Sequence, residues 1–402
     1  MVRVRSLAVL LLTLWLAAAA KAQHPAVQAA IDAVSIDSLV LDLRLLTGEL
    51  PVDVGNGPQV IVSRNKNQPG NPLSADWLQQ RMQALGFDPV VQVFSGGTGE
   101  NIVAEKPGLV HPERKVIICG HYDALPGGPV AAPAADDDGS GTVAVLEAMR
   151  VLRDIPFENT LVFALWDEEE QGRLGSIYYA GVAAASDVEI TGVVNLDAIA
   201  YDGDGDGLMR VHTRNMANSV ALKDTALVVN TLYGLDIPIA VNLPGATYSD
   251  HASFWNEGYG AILLIEDFDN DANPHYHTST DLVEHIDQPY FHGLTRLGIG
   301  TAAVLAGPMA AGNTGLPSVD DATAPYAWPN PTTGPVRIGR ERADGPAMVQ
   351  VLDPLGRLVE QHRLATGLRS IALDLGGHAP GTYTIRVQAG ADVRSVRVLR
   401  LP

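Results

Sequence analysis

Three separate apolar runs of this chain end beside a histidine or an acidic residue. They are residues 115–119 before His121, residues 159–166 before Glu169 and Glu170, and residues 190–196 before Asp197. Apolar residues between the runs recur at steps of three and four, as in 142–152, which predicts helices. Strands that alternate with helices form a mostly parallel or mixed sheet covered on both faces. Such open sheets place their sites at the carboxyl ends of the strands. The sequence therefore predicts an α/β fold with these side chains at one sheet edge.

Residues 118–141 extend this edge. After His121 and Asp123, small residues and prolines lead to three consecutive aspartates, 136–138, and then to Gly-Ser-Gly and a helical pattern. Histidine and carboxylate ligands suit zinc, and a catalytic zinc keeps one coordination position open for water. Two zinc ions about 3.5–4 Å apart need a bridging carboxylate and a nearby base. The segment is predicted to hold half of a two-metal site, and His251 is a candidate for the other half.

Six short motifs in a fixed order resemble the secreted bacterial di-zinc aminopeptidases of the leucyl-aminopeptidase type, a zinc-exopeptidase fold. The motifs are GHYD 120–123, ADDDGSG 135–141, EEQG with LGS 169–176, NLD 195–197, SDHASF 249–254 and YHTSTD 276–281. The resemblance implies two Zn²⁺ per chain, with His121 and Asp197 on one ion, Glu170 and His251 on the other, and Asp137 bridging both. Asp136 and Asp138 remain alternatives for the bridge.

The resemblance also implies a reaction, the removal of N-terminal amino acids from peptides with a free N-terminus. Glu169 is expected to be the general base that deprotonates a metal-bridging water. The resulting hydroxide attacks the scissile carbonyl, and Glu169 returns the proton to the leaving amine. A carboxypeptidase or dipeptidase of the same family is the alternative activity, and a glutaminyl cyclase fits the two-zinc ligand set less well. A non-catalytic surface-binding module is the alternative from another class.

Four further residues are expected to support the site. Asp123 is predicted to accept the second N–H of His121 and fix its tautomer, and Asp250 is predicted to act similarly beside the histidine that follows it. For both, a solvated loop carboxylate is the alternative. Tyr248 is a candidate donor to the developing oxyanion, with a packed aromatic as the alternative. His277 is expected near the rim of the site in a supporting role only.

An acidic loop at 202–207 matches the first half of a Ca²⁺ loop, D-x-D-x-D-G. A complete loop carries a bidentate acid at position 12, where this chain has Thr213. Ca²⁺ binding is therefore the weaker of two interpretations, and an acidic turn is the stronger.

The ends of the chain differ in charge from its centre. Residues 1–22 combine Arg3 and Arg5, an apolar segment and an A-x-A site, the pattern of a cleaved secretory signal peptide. The whole chain carries −19, and with +3 in 1–22 and +4 in 325–402, residues 23–324 carry −26. An acidic body of this kind argues against nucleic-acid binding, which uses a basic face. No later segment is apolar over the about 20 residues that a membrane span needs. A secreted, extracellular or cell-surface protein is predicted.

A second domain is predicted beyond a linker. Periodicity is lost in 311–324, and short strand candidates separated by turn signals fill 325–402, which favours a small β-sandwich. The segments WPNPTTG 328–334, VLDPLGR 351–357 and PGTY 380–383 resemble a type IX secretion sorting domain. This resemblance implies a partnership with secretion machinery and possible later removal of the domain. An accessory β-sandwich that binds carbohydrate or the cell surface is the alternative. The catalytic domain is then expected to span 23–310.

Overall fold

The computed structural model describes residues 23–309, 325–328, 330, 332–340, 345–353, 357–390 and 392–400. The predicted signal peptide at 1–22 and linker at 311–324 lie outside these ranges. The helices of the described residues are α1 (Pro25–Asp32), α2 (Ile36–Leu46), α3 (Gly70–Ala84), α4 (Gly139–Leu152), α5 (Leu174–Ala185), α6 (Ser219–Leu232), α7 (His251–Asn256), α8 (Gln288–Ala306) and two short 3₁₀ turns (Val283–His285 and Leu375–Gly377).

Strands occur in two regions of the described chain. Those before residue 310 are β1 (Val52–Asp53), β2 (Pro58–Gln59), β3 (Val90–Phe94), β4 (Gly99–Lys106), β5 (His111–His121), β6 (Asn159–Trp166), β7 (Glu189–Leu196), β8 (Met209–His212), β9 (Ile239–Asn242) and β10 (Ala261–Glu266). Those after it are β11 (Tyr326–Trp328), β12 (Pro335–Gly339), β13 (Ala347–Leu352), β14 (Leu358–Leu364), β15 (Ser370–Asp374), β16 (Gly381–Ala389) and β17 (Asp392–Arg400).

Eight strands form one central mixed sheet in the order β3-β4-β6-β5-β7-β10-β8-β9. Strands β6 and β7 both run parallel to β5 and lie on its two sides. Strand β10 continues parallel to β7. Strand β4 pairs antiparallel with β3 and β6, and β8 pairs antiparallel with β10 but parallel with β9. The predicted mixed α/β sheet is confirmed. The chain passes from β5 through α4 to β6 on one side of β5, and then through α5 to β7 on the other side. Helices α4 and α5 pack in different core clusters, so the loops after β5 and β6 lead to opposite faces, where open sheets form crevices.

The sheet is covered on both faces because its central strands are apolar on both sides. In β6, Phe163 and Leu165 join the core cluster that contains residues of α4 and α8. The alternating residues Val162, Ala164 and Trp166 join a second cluster that contains residues of α5 and α7. Side chains of a strand point alternately to opposite faces, so one continuous apolar run fills two cores. Burial of this kind fixes the register of β6, because a one-residue slip would exchange the two faces.

Two helix boundaries follow from the residues beside them. Helix α4 starts at Gly139, three residues before the predicted 142, because the side chain of Asp138 accepts the Gly141 N–H at 2.8 Å and caps the helix. Helix α3 ends at Ala84, and Gly86 follows with a φ of 92°, a conformation that favours glycine. The predicted stop at Gly86 is confirmed.

The C-terminal region contains two antiparallel sheets, β11-β12-β15 and β14-β13-β16-β17. Val336 and Ile338 of the first sheet share one core cluster with Val349, Ile385 and Val398 of the second. Alternate residues of β13 are buried, as expected for a strand that covers a core on one face. The small C-terminal β-sandwich is confirmed. Among the residues placed by the structure, no helix is both long and apolar enough to cross a bilayer.

Candidate metal centre

The ends of the three parallel strands bring the predicted ligands to one edge. His121 is the last residue of β5, Asp197 directly follows β7, and Glu169 and Glu170 lie in the turn after β6. Asp137 reaches the same edge from the loop that leads into α4. Because the three strands are parallel, their carboxyl ends lie at the same edge of the sheet.

The first group of ligand atoms contains one imidazole and two carboxylates. His121 Nε2 lies 3.2 Å from Asp137 Oδ1 and 3.7 Å from Asp197 Oδ1. The three residues are buried, and their ligand atoms lie within 4.8 Å of one another. This group is the arrangement predicted for the first zinc.

The second group shares Asp137 with the first. His277 Nε2 lies 3.0 Å from Asp137 Oδ2 and 3.0 Å from Glu170 Oε2. Asp137 thus presents Oδ1 to one group and Oδ2 to the other, as a bridging carboxylate does. The choice of Asp137 over its two aspartate neighbours remains a prediction, and this division of its oxygens supports it.

The donor atoms are arranged for binding metal ions rather than for forming hydrogen bonds with one another. His277 Nε2, Asp137 Oδ2 and Glu170 Oε1 are buried and make no hydrogen bond, although the histidine stands 3.0 Å from two carboxylates. Tetrahedral zinc with bonds near 2.0–2.2 Å holds its ligand atoms about 3.3 Å apart. The separations of 3.0, 3.2 and 3.7 Å bracket that value. Both groups therefore have the chemistry and the spacing of zinc sites.

His251 is not part of either group, in contrast to the predicted ligand set. Its Nε2 lies 2.9 Å from the carbonyl oxygen of Ala246, which can only accept, so Nε2 carries the proton. The ring packs edge-on against Trp255 at 4.5 Å, and burial lowers the pKa of His251 to about 3. His277, expected only at the rim, stands where His251 was predicted. The motifs alone did not distinguish the two histidines.

Asp123 connects the two glutamates with His121. Its two carboxylate oxygens accept the N–H groups of Glu169 at 2.9 Å and Glu170 at 3.2 Å. His121 Nδ1 lies 3.4 Å from the same carboxylate and 3.3 Å from the Asp123 carbonyl oxygen. Asp123 is fully buried, so the alternative of a solvated loop carboxylate does not describe it. Either acceptor places the imidazole proton on Nδ1 and leaves Nε2 free for a metal.

The other two aspartates of the triplet, Asp136 and Asp138, accept hydrogen bonds from main-chain N–H groups. Asp138 accepts the N–H groups of His121, Gly141 and Ala198. Asp136 accepts the N–H of Ala200 at 2.9 Å and the side-chain amide of Asn273 at 2.9 Å. These contacts join the loops after β5, β7 and β10, which fixes the relative positions of the ligands.

The charges in the cluster shift its ionisations strongly. Burial lowers the pKa of His121, but the carboxylates of Asp123, Asp137 and Asp197 together raise it well above its ordinary value. Burial raises the pKa of Glu169 well above its ordinary value, opposed by His121 and supported by neighbouring acids. Burial and the charge of Asp137 raise the pKa of Glu170 to about 7. Such crowding of like charges is relieved by bound cations.

Asp250 and Tyr248 occupy different surroundings. Asp250 is fully buried, and burial raises its pKa to about 7, with the charge of His121 opposing the shift and that of Asp197 adding to it. The carboxyl group of Asp250 is therefore buried within reach of the charges of His121 and Asp197 and does not lie in a solvated loop. Tyr248 is 48% exposed and lies at the mouth of the site, with its hydroxyl 3.4 Å from His212 Nε2. Tyr248 is therefore not a packed core aromatic.

A cavity of about 190 Å³ opens directly on the metal groups. It is lined by Asp137, Glu169, Asp197, Ala198, Tyr248, Ile265, Phe268 and Tyr276. The lining combines acidic groups with aromatic and aliphatic side chains. Tyr276 stacks on the ring of His277 at 3.7 Å, so the aromatic part of the lining continues into the second group.

The acidic loop at 202–207 lies apart from these groups. The carboxylates of Asp202, Asp204 and Asp206 are within 4.8 Å of one another. Asp202 accepts the N–H groups of Gly205 and Gly207, both at 3.1 Å. These bonds are those of an acidic turn, and Ca²⁺ binding here remains an untested alternative.

Comparison with known proteins agrees with the fold. The sequence model of peptidase family M28 matches residues 101–300, and that of the secretion system C-terminal sorting domain matches 326–399. Leucine aminopeptidase 1 of Trichophyton equinum is 32% identical over 253 residues, which cover 58% of this chain and 67% of the relative.

Two solved structures share the fold at lower sequence identity. The LapA aminopeptidase of Legionella pneumophila is 22% identical, with a TM-score of 0.60 over 71% of this chain and 75% of that one. The glutaminyl cyclase of Fimbriiglobus ruber is 18% identical, with a TM-score of 0.52 over 68% of this chain and 96% of that one. The chain thus belongs to peptidase family M28, as a metallohydrolase of the zinc aminopeptidase type that carries a C-terminal secretion sorting domain.

Proposed function

We propose that this enzyme binds two zinc ions and removes N-terminal residues from peptides outside the cell. The observation that carries the proposal is the division of one carboxylate, with Asp137 Oδ1 beside His121 and Oδ2 beside His277. The proposed ligands are His121, Asp137 and Asp197 for the first ion and Asp137, Glu170 and His277 for the second. Bound zinc supplies Lewis acidity, which polarises a carbonyl and acidifies water.

Glu169 is the proposed general base. Its carboxyl group lines the cavity with Asp137 and Asp197, and its main-chain N–H is tied to Asp123. Burial raises the pKa of Glu169, which makes its carboxylate a better proton acceptor than an exposed glutamate. Glu169 takes a proton from the attacking water and holds it at the carboxyl oxygen. The carbon–nitrogen bond of the substrate then breaks, and Glu169 delivers the proton to the departing amine.

The cavity favours a free amino terminus and an apolar first side chain. A positively charged α-amine is attracted to the acidic groups of the lining, Glu169 and Asp197. The lining also contains Ile265, Phe268 and Tyr276, which suit an aliphatic or aromatic side chain. The relative named leucine aminopeptidase is consistent with this preference.

A panel of matched peptides tests the proposal. Leucyl peptides with free and acetylated N-termini, and peptides with free and amidated C-termini, are incubated with the enzyme before and after chelation and zinc return. Cleavage that needs a free N-terminus, stops on chelation and returns with zinc supports the aminopeptidase. Cleavage that needs a free C-terminus would instead establish the carboxypeptidase, and cyclisation of N-terminal glutamine would establish the cyclase.

A substitution separates the base from the metal centre. Glu169→Gln preserves size and is expected to retain two zinc ions per chain while kcat falls about 10²–10⁴-fold. Glu284→Gln, which alters a side chain that is 72% exposed, serves as the control and should leave kcat unchanged. Substantial turnover by Glu169→Gln shows that another group accepts the proton.

Export is the second part of the proposal. The C-terminal match to a sorting domain and the signal pattern in 1–22 support passage to the cell surface or the medium with the help of secretion machinery. The proposed division places the catalytic domain at 23–310, the linker at 311–324 and the sorting domain at 325–402. Mass measurement of enzyme recovered from the medium tests this division. Mature enzyme that begins near 23 and ends near 320 supports cleavage of both segments.

A further inference from the structure

The loop between His121 and Asp137 is tied down by one buried arginine. Arg64 is fully buried. Its Nε donates to the carbonyl of Tyr122 at 2.6 Å, Nη2 donates to Ala134 at 2.9 Å, and Nη1 donates to Pro133. One guanidinium therefore joins the residue after one metal ligand with the segment just before the bridging aspartate. The planar, five-donor geometry of arginine is suited to several acceptors at fixed angles.

Asp281 completes the attachment from the other side. Its carboxylate accepts the N–H of Asp136 at 3.0 Å and of Asp137 at 3.1 Å, and its carbonyl accepts the N–H of Ala135 at 3.1 Å. Carbonyl groups of 133 and 134 thus bind Arg64, whereas amides of 135–137 bind Asp281. Asp281 also lies four residues after His277, so it links the loop of the bridge to the loop of the second metal group.

The segment around Arg64 is itself anchored along this loop. The N–H of Ala132 donates to the Val62 carbonyl at 3.1 Å, and the side-chain amide of Asn65 donates to Ala124 at 3.1 Å. Asn71 donates to the carbonyl of Arg64 at 3.0 Å and to Asp167 at 2.8 Å, just before the glutamates. The segment precedes the residues matched to the peptidase family, 101–300, yet it contacts the backbone of that site.

A buried cation without a carboxylate in direct contact is costly unless its surroundings compensate. Burial lowers the pKa of Arg64 to about 10, and the nearby charges of Asp281, Asp138 and Asp123 oppose the shift, so the group stays charged at neutral pH. Its donors meet backbone carbonyls, and its charge offsets a cluster rich in acids. A buried guanidinium is unfavourable by itself, so its presence here indicates a role in holding the loop.

We propose that Arg64 and Asp281 are positioning residues that hold Asp137 between the two metal ions. Neither residue belongs to the proposed ligand groups or lines the cavity. They fix the peptide units on both sides of the bridge, so Oδ1 and Oδ2 stay aimed at separate groups. The inference rests on the proposed two-zinc function.

The test uses the full chain with Arg64→Lys, Arg64→Met and Asp281→Asn. Lysine at 64 keeps the positive charge but lacks the planar set of guanidinium donors, and methionine lacks both. Asparagine at 281 keeps the shape of the side chain but has one acceptor oxygen fewer. The control is Arg340→Lys, because Arg340 is also buried and donates to two backbone carbonyls, of Leu368 and Ala365, in the C-terminal sandwich. Each protein is measured for zinc content, zinc affinity against competing chelators, the visible spectrum after Co²⁺ replacement, and kcat and KM.

The Arg64 and Asp281 variants are expected to bind zinc about 10–100-fold more weakly, as substitutions behind metal ligands do. Their Co²⁺ spectra should change, and kcat at saturating zinc should fall more than KM rises. Arg340→Lys should match the wild type in all four measurements. Folded variants with wild-type zinc affinity, cobalt spectrum and kcat overturn the proposal. If both Arg64 variants fail to fold, Asp281→Asn decides alone. A wild-type chain that binds no zinc overturns the proposed function instead.

Discussion

Replacing Asp123 with asparagine tests how the carboxylate that joins the glutamates to His121 contributes to the enzyme. The wild-type carboxylate accepts two main-chain N–H groups, at 2.9 and 3.2 Å, and faces His121 Nδ1 at 3.4 Å. Asparagine offers one oxygen, so its NH₂ group must face a remaining donor. One hydrogen bond to a charged acceptor becomes a bond to a neutral one, which costs about 1 kcal/mol of stability. One buried donor is left without an acceptor, which costs about 2 kcal/mol more. Asp123→Asn should therefore lower the free energy of unfolding of zinc-free protein by about 3 kcal/mol.

The same change should lower activity, because Glu169 and Glu170 both depend on this carboxylate for their main-chain positions. Substitution of a group that orients metal ligands typically costs 10–100-fold, which is about 1.4–2.8 kcal/mol in transition-state stabilisation. Denaturant unfolding after chelation gives the stability, and kcat/KM at saturating zinc gives the activity.

Asp53→Asn is the matched control. Asp53 also accepts two main-chain N–H groups, of Gly55 and Gly57, but it is exposed and stands in the β1–β2 turn. The control should lose little stability and no activity. An Asp123→Asn enzyme within threefold of wild-type kcat/KM and within 1 kcal/mol of its stability would refute the reasoning.

Three further predictions concern the histidines and the tail. His277→Ala should lose one of two bound zinc ions by elemental analysis and nearly all turnover, whereas His251→Ala should keep both ions. Burial lowers the pKa of His277, but Asp137 and Glu170 raise it to about 10, so zinc must displace a proton from it at pH 7.5. Calorimetry in buffers of different ionisation enthalpy should therefore detect proton release on zinc binding. Deleting 325–402 should leave the peptidase activity of purified enzyme unchanged and abolish its appearance in the medium.

Each of these expectations has a contrary result. If His277→Ala still binds two zinc ions, another residue must be the ligand at the second site. Because the pKa of His277 is raised in the folded, zinc-free protein, its protonation stabilises that protein fully at pH values below about 6.5, the pKa of an unfolded histidine. This stabilisation is lost as the pH rises through about 10. Zinc binding without proton release at pH 7.5 would show that His277 is already neutral. Secretion of the truncated chain at wild-type levels would remove the role of the tail in export.

Much of the fold was predictable because its strands are long apolar runs. Strands β5, β6 and β7 are buried on both faces, so their sequences stand out, and the residues that end them fell at the predicted sheet edge. Helix α6 was not predicted. Its buried residues Leu222, Ala226 and Val229 recur at steps of four and three, the spacing of a helix, but this short stripe was overlooked among the polar residues around it.

The proposed site was predictable where its ligands follow strands and was not predictable where they lie on long loops. His121, Glu170 and Asp197 take their positions from the sheet. His277 lies on a loop after β10, and the reach of such a loop depends on tertiary bonds such as those of Asp281. Arg64 gave no local signal, because its three nearest partners follow it by 58 to 70 positions and are main-chain carbonyls, which any residue type supplies.

The shared carboxylate of Asp137 also bears on how the enzyme survives outside the cell. The chain has a single cysteine and so forms no internal disulfide. With zinc bound as proposed, five ligands from separate parts of the chain, from His121 to His277, are connected through the two carboxylate oxygens of Asp137. None of these segments can move away without losing a bond to zinc. Ligand binding to the folded state alone stabilises it by mass action. The metal centre would then protect the enzyme against foreign proteases, and zinc supply in the medium would set its lifetime.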